Sequence, residues 1–235
     1  MTLQLKCLPL LVAVALLSLR VPPQTTPESA LQELDLDHTR VDFTLTNQTL
    51  FDGLAALSSK RIPLALGFEE VLKLKFTDQP PQNPRLSLDL KSKTPAEIVE
   101  VLCTMDPRYT WSRDGATINV YPRAVIGDPA YLLNRKLNKL EVMNLPDPDH
   151  ALLAIIRELP PPLEQVSYTG IGGDSSYAAP WTMSFHDLTV RQAINRLAAH
   201  MGTRSQWVFY GSRDFRSFAF FKAGFNPRPD DRKAP

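Results

Sequence analysis

The fold is decided by residues 86–102, which read LSLDLKSKTPAEIVEVL. Their first five positions alternate leucine with polar residues, a pattern typical of a strand with one buried face. A helix is predicted to begin soon afterwards, because Thr94-Pro95-Ala96-Glu97 is a capping box with proline in its first turn. Residues 181–197, WTMSFHDLTVRQAINRL, repeat this strand and helix at an offset of 95 (181 − 86), and Thr189 opens a second capping box.

The same order extends upstream in both halves of the chain, which indicates a duplication. An alternating strand at 41–45 and a helix that begins after Thr49 precede residues 86–102. Their counterparts are predicted at an offset of 99 (140 − 41). The aligned apolar pairs are Val41 with Leu140, Phe43 with Val142, Leu54 with Leu153 and Leu57 with Ile156. A single mixed α/β domain with coincidental periodicity is the alternative.

The predicted fold class is therefore α+β, with two tandem small βαββαβ-type units. Each unit is expected to be a short sheet with two helices on one face, and Asp114-Gly115 predicts a hairpin turn near the end of the first. The predicted segments are a signal peptide and leader at 1–30, unit 1 at 38–123, a linker at 124–137, a divergent unit 2 at 138–222 and a disordered tail at 223–235.

The first residues predict export. Lys6 precedes an apolar run from Leu8 to Leu19, and prolines follow at 22–23. A helix of about 12 residues reaches only about 18 Å, less than the ~30 Å hydrocarbon core of a bilayer. A signal peptide is the favoured interpretation, and an inner-membrane anchor or a buried helix is the alternative. Cys7 precedes the run, the wrong place for a lipobox cysteine, so no lipid anchor is predicted.

Charge and cysteine content argue against several classes of function. The chain has 26 basic and 25 acidic residues, so no strong field points to nucleic acid or to anionic lipid. Beyond the leader the only cysteine is Cys103, which cannot form an internal disulfide. Its place in an apolar helical pattern predicts a buried structural thiol.

The sequence offers no catalytic constellation. The histidines form no H-x-x-x-H or H-E-x-x-H pair, and they are His38, His150, His186 and His200. The stretch Gly170–Gly173 lacks the following lysine of a phosphate loop, and Ser175 has no G-x-S-x-G context. Asp147 and Asp149 are interpreted as caps of the following helix. We therefore predict no catalytic residue, no cofactor and no metal.

Two aromatic residues are candidates for binding a partner. Tyr168 and Tyr177 lie in a Gly/Ser-rich stretch that is predicted to be a long loop of the second unit. Loops on a rigid scaffold often carry binding residues, and exposed aromatics make good interface anchors. Trp181 is interpreted as a core residue instead, because it aligns with Leu86.

Seven short segments of the first half carry a family resemblance. They are Phe43-Thr44-Leu45, residues 49–58 (TLFDGLAALS), 62–66 (IPLAL), 86–91 (LSLDLK), 94–99 (TPAEIV), Tyr109-Thr110-Trp111 and residues 115–120 (GATINV). In this order they resemble the short N-terminal domain of secretins and TonB-dependent receptors. The resemblance covers residues 41–122, and the second half matches mainly around 181–197. It implies a periplasmic protein-binding or signalling module without catalytic residues.

These observations predict a non-catalytic binding or scaffold module of the bacterial periplasm. Its expected partners are envelope proteins of secretin or TonB-type systems, recruited at sheet edges by strand addition. The alternative is an exported ligand-binding protein or hydrolase, with a site between the two units that is lined by loops 76–85 and 160–180. The polar candidates for that site are His150, His186, Asp174 and Ser175.

Overall fold

The computed structural model describes residues 37–60, 62, 64–70, 83–158, 166–172, 181–201, 205–211 and 216–221. In these residues the chain has a mixed α+β fold, which confirms the predicted class at this level. The predicted leader at 1–30 and the predicted tail at 223–235 lie outside the described residues. None of the helices in this part of the chain is long and apolar enough to cross a membrane.

The first half of the chain alternates strands and helices in the predicted order. Its elements are β1 (Val41–Gln48), α1 (Leu50–Ser59), β2 (Ala65–Glu69), β3 (Leu86–Lys93), α2 (Pro95–Met105), β4 (Tyr109–Asp114) and β5 (Thr117–Pro122). Both helices begin with a capping box, Thr49 with Asp52 and Thr94 with Glu97, as the sequence predicts. The β4–β5 hairpin turns at Gly115, whose φ of 57° favours glycine.

The second half repeats this order. Its elements are β6 (Lys136–Leu145), α3 (Pro148–Arg157), β7 (Val166–Gly172), β8 (Trp181–Thr189), α4 (Val190–Met201), β9 (Gln206–Gly211) and β10 (Arg216–Phe221). Asp147 caps α3 through the backbone N–H of His150. Thr189 and Gln192 form the predicted capping box of α4, since each side chain bonds the other residue's backbone N–H.

The predicted linker at 124–137 is packed against the second half. It forms two 3-10 turns, Arg123–Val125 and Leu132–Asn134, before β6 begins. Except for the exposed Ile126, the large apolar side chains of this segment are buried in the core of the second half. They are Val125, Tyr131, Leu132, Leu133 and Leu137. The connection therefore has a fixed course, because burying these side chains outweighs the freedom that a linker would keep.

Three sheets organise the strands. β1 and β3 form one antiparallel ribbon, and β6 and β8 form another. The third sheet has six strands in the order β4-β5-β2-β9-β10-β7 and contains strands from both halves. The prediction of a separate sheet for each unit is therefore wrong in this respect. Two features account for the difference: the described strands of each half divide between a ribbon and the shared sheet, and β2 pairs parallel with β9, which no local sequence pattern specifies.

The helices of the two halves lie on opposite faces of the six-stranded sheet. On one face, α1, α2 and the β1–β3 ribbon form a core with Leu66, Phe68, Ile118, Val120 and Val208. On the other face, α3, α4 and the β6–β8 ribbon form a core with Trp207, Phe209 and Phe218. Each helix pair thus lies between its own ribbon and one face of the shared sheet. Trp207 and Val208 face opposite ways because successive strand residues alternate.

Fine features of the backbone recur in both halves. The described non-glycine residues with positive φ fall into two pairs, Asn47 with Asn144 and Ser92 with Asp187. Their offsets are 97 (144 − 47) and 95 (187 − 92). Both halves also anchor a tryptophan on the second helix. Trp111 Nε1 donates to Glu100 Oε2, and Trp207 Nε1 donates to Asn195 Oδ1 at 2.8 Å.

The structure changes part of the predicted alignment. Phe43 pairs with Leu90 and Leu140 pairs with Phe185, so β1 corresponds to β6 at an offset of 97 (140 − 43), two less than predicted. In the helices, the fully buried Leu54 corresponds to Leu152. A two-residue slip leaves every strand side chain on the same face, so an alternating pattern does not expose it. The caps of α2 and α4, Thr94 and Thr189, lie 95 residues apart (189 − 94), as predicted for the second strand and helix.

Candidate functional site

The joint between the halves is the parallel pairing of β2 with β9. Leu66 lies opposite Gln206 and Glu69 lies opposite Phe209, and the backbone N–H of Glu70 donates to the Phe209 carbonyl at 2.9 Å. Gly67 lies opposite Trp207, and a Cβ at this position would be 2.4 Å from Trp207 Cζ2. Asn119 Oδ1 would be 2.7 Å from the same Cβ, so a side chain at position 67 cannot fit without moving both the indole ring and the Asn119 side chain.

A buried ion pair lies beside this joint. Glu69 of β2 is 0% exposed, and its carboxylate accepts hydrogen bonds from the Arg191 guanidinium and, at 2.8 Å, from the Tyr131 hydroxyl. Arg191, in the first turn of α4, also donates to Asn134 Oδ1 at 2.8 Å. Its guanidinium carbon lies 4.5 Å from the centroid of the Tyr121 ring, a cation–π contact. The pair thus connects β2 of the first half to α4 of the second.

The electrostatics of this pair indicate a structural role. Burial raises the pKa of the Glu69 carboxyl above its ordinary value, and the contacts with Arg191 and Tyr131 oppose that rise. Burial alone would lower the pKa of Arg191, but the hydrogen bond and charge of Glu69 hold it above its ordinary value. Glu69 and Arg191 form hydrogen bonds with each other and with the neighbouring side chains of Tyr131 and Asn134. We therefore interpret the Glu69–Arg191 pair as a clamp that holds the joint together.

The two outer edges of the six-stranded sheet are the candidate binding surfaces. In the described part of the chain, β4 pairs only with β5 and β7 pairs only with β10. An unpaired edge presents a row of backbone N–H and C=O groups that can accept another strand. These edges can therefore bind an extended segment of a partner through backbone hydrogen bonds, which need no particular side chain.

The direction of the β4 backbone groups follows from its ladder with β5. The N–H of Arg123 donates to the carbonyl of Arg108 at 2.7 Å, which makes 108 and 123 a hydrogen-bonded pair. Such pairs alternate along an antiparallel ladder, so Ser112 with Asn119 is also hydrogen-bonded. The backbone groups of Trp111 and Arg113 therefore point away from β5, toward the open edge.

Side chains shape this edge at both ends. At one end, the Arg123 guanidinium donates to the carbonyl of Tyr109 at 3.3 Å. At the other end, Arg113 forms an ion pair with Asp37 at 3.0 Å and donates to the carbonyl of Gly115 at 2.9 Å. The open stretch is therefore centred on Trp111, whose ring is held by its bond to Glu100 of α2. We call residues 111–113 the β4 edge.

The structure changes the setting of one predicted binding residue. Tyr168 belongs to strand β7, in register with Phe218 of β10, whereas the sequence predicted a loop. It thus lies on the other outer strand of the shared sheet. Tyr177 lies outside the described residues, as do Asp174 and Ser175. Trp181, predicted as core, pairs with Leu145 at the start of β8.

The histidines named as possible catalytic groups have local partners. The His150 ring lies 2.8 Å from the Asp147 carboxylate, and the His186 ring lies 2.7 Å from Ser184 Oγ. Burial raises the pKa of Cys103 to about 12, so its thiol is not an activated nucleophile. Among the described residues, no group of His, Cys, Asp and Glu could hold a metal ion.

Comparison of the chain with known proteins gives no match, whether to a protein-family model, to a curated protein or to a solved structure.

Proposed function

We propose that this chain is an exported binding or scaffold module of the bacterial periplasm, without catalytic activity, that recruits envelope proteins by strand addition. The observation that carries the proposal is the β4 edge, which pairs only with β5 among the described strands and where the backbone groups of Trp111 and Arg113 point away from the sheet. Strand addition at such an edge gives affinity through main-chain hydrogen bonds and selectivity through neighbouring side chains. Trp111 and Arg113 supply those side chains.

We further propose that the chain consists of two copies of one unit, each related to the short N-terminal domain of secretins and TonB-dependent receptors. The repeated element order supports the duplication, and so do the paired positive-φ residues, which coincidence would not place at equivalent positions. The resemblance of residues 41–122 is what directs the proposal to secretin or TonB-type partners. The leader sequence is what directs it to the periplasm.

The test is to capture partners from solubilised cell envelope. The amount captured by the unmodified chain is compared with the amount captured by a variant whose β4 edge is blocked. Arg113→Pro removes an outward N–H without removing a bond of the β4–β5 ladder. Arg113→Ala is the matched control, because it loses the same ion pair with Asp37 but keeps the N–H. We expect the unmodified chain and Arg113→Ala to retain a common envelope protein. Arg113→Pro should bind that protein at least 10-fold more weakly, a loss of about 1.4 kcal/mol in binding free energy. Equal retention by all three would contradict binding at the β4 edge.

A further inference from the structure

The two halves are related by a regular operation along the shared sheet. The sheet reads β4-β5-β2 and then β9-β10-β7, with the equivalent strands in the same order. β2 and β5 run parallel, whereas β7 and β10, also parallel to each other, run the opposite way because β10 is antiparallel to β9. Each step of three strands therefore reverses both the strand direction and the face that carries the helices.

The joint pairs two strands that are not equivalent to each other. It places β2, the last strand of the first half in sheet order, beside β9, the first strand of the second half. β9 is the equivalent of β4, since Trp207 and Trp111 bond equivalent positions of α4 and α2, Asn195 and Glu100 (195 − 100 = 95). β7 is the equivalent of β2, since each pairs parallel with the second strand of its hairpin.

The two outer edges are therefore the same two kinds of strand that meet at the joint. β4 and β7 both run opposite to β2, so the β4 of a second copy laid beside β7 would pair parallel, as β9 does with β2. The groups that face the joint also have counterparts at the free edge. Phe209 accepts the bond from Glu70 across the joint, and its equivalent two residues after Trp111 is Arg113, whose backbone faces the open side.

We propose that the chain associates head to tail with further copies of itself, β7 of one copy pairing parallel with β4 of the next. The contact reuses the parallel backbone pairing of the internal joint, with Thr169 at the position of Gly67, and continues one sheet, with helix pairs on alternating faces. Because different surfaces meet, this contact is heterologous and leaves a free β4 and a free β7 at the ends of every assembly. The inference rests on the proposed function, since it assigns the β4 edge a partner, a second copy of this chain.

The intermolecular contact is weaker than the internal joint because it lacks the buried clamp. The position equivalent to Arg191 on α2 is Ala96 (191 − 95), so no guanidinium is present there to meet the neighbouring strand. The end of β7, residues 171–172, is Ile-Gly and supplies no carboxylate in place of Glu69. Association is therefore reversible and depends on concentration.

The experiment measures the mass of the purified full-length chain by sedimentation velocity over an about 100-fold range of concentration. Two blocked variants are compared with it. Arg113→Pro blocks β4, and Tyr168→Pro blocks β7. Tyr168 corresponds to Leu66 in the pairing with the second hairpin strand, and the Leu66 N–H faces the joint because backbone groups alternate from Glu70, which bonds Phe209. Arg113→Ala and Tyr168→Ala are the matched controls that keep each N–H.

We expect the unmodified chain and both alanine variants to grow in mass with concentration, and each proline variant alone to stay monomeric. Mixing the two proline variants restores a 1:1 dimer, because one keeps a free β7 and the other a free β4. An unmodified chain that stays monomeric throughout overturns the inference, and this result needs no variant. Dimerisation of one proline variant alone also overturns it, since that contact would join like edges.

The outcome separates this inference from the proposed function. A monomeric chain that still captures an envelope protein through the β4 edge refutes self-association and leaves the binding module intact. A chain that associates head to tail but captures no other protein supports the inference and contradicts recruitment of envelope proteins. Circular dichroism and thermal melting of each variant establish that it is folded before its mass is compared.

Discussion

At the residue scale, the contact of Gly67 with Trp207 holds the two halves in close register. Gly67→Ala would place a Cβ 2.4 Å from Trp207 Cζ2, so we expect a loss of about 1–3 kcal/mol in the free energy of unfolding, measured with urea. Trp207→Phe removes the two obstructing indole atoms but leaves Asn119 Oδ1 at 2.7 Å, so the loss caused by Gly67→Ala should be smaller in that background but not absent. Equal losses in both backgrounds would show that the indole ring is not the obstacle.

The clamp beside the joint gives a second prediction at this scale. Arg191→Met leaves the fully buried Glu69 carboxylate without its cation, and we expect a loss of about 3–5 kcal/mol in the free energy of unfolding. The double replacement Glu69→Leu with Arg191→Met should cost less than Arg191→Met alone, because it leaves no uncompensated charge. A double variant less stable than the single one would contradict this account of the pair.

The same carboxyl also sets a pH dependence. Burial raises the pKa of Glu69 above its ordinary 4.5, so between these two values the folded chain binds more protons than the unfolded chain. This group therefore contributes stability below pH 4.5 that is lost as the pH rises through its pKa in the folded state. Glu69→Gln should flatten that part of the curve of unfolding free energy against pH. An unchanged curve would mean that Glu69 titrates alike in both states.

Little of this residue chemistry is predictable from the sequence. Glu69 follows an apolar strand, and a charge at the end of a buried strand signals a partner. The partner, Arg191, lies 122 residues further along the chain. The sequence pattern at Arg191 indicates the start of a helix but nothing about Glu69. The orientation of the Trp111 and Arg113 backbone groups likewise depends on which pairs of the β4–β5 ladder are hydrogen-bonded, which the Asp-Gly turn indicates only in part.

At the element scale, the two capping boxes at the second helix of each half should contribute alike. Thr94→Ala and Thr189→Ala each remove a side-chain acceptor for a backbone N–H, and we expect each to cost about 0.5–2 kcal/mol. Thr104→Ala is the control, because its exposed hydroxyl bonds a carbonyl within α2 and caps no helix end. Urea unfolding measures all three, and a cap variant no costlier than Thr104→Ala would contradict the assignment.

Most element boundaries were predictable because their signals are local. Capping boxes, alternating leucines and a glycine turn each act within a few residues, and the helices begin where Thr49, Thr94 and Thr189 place them. The bulges of β1 and β6 gave no such signal, since Asn47 and Asn144 adopt positive φ in otherwise ordinary polar stretches. The predicted alignment of β1 with β6 was out by two residues because an alternating pattern is unchanged by a two-residue slip.

At the scale of the whole molecule, the pairing of β2 with β9 makes one sheet from two halves. It joins residues far apart in sequence, and edge strands carry the same alternating pattern whether they end a sheet or continue it. The sequence thus predicts what each half contains but not how the halves meet. The candidate site depends on this meeting, because the shared sheet is what leaves β4 and β7 as its outer strands.

The most direct test of the central claim, that this module binds proteins at the β4 edge, is site-specific photo-crosslinking in living cells. A crosslinking amino acid is placed at Arg113 on that edge and, as a control, at Asp89 on the exposed side of β3. We expect crosslinks from position 113 to an envelope protein or to a second copy of this chain, and none of these from position 89. An exported, folded protein that gives no crosslink at 113, or the same products from both positions, would contradict the central claim.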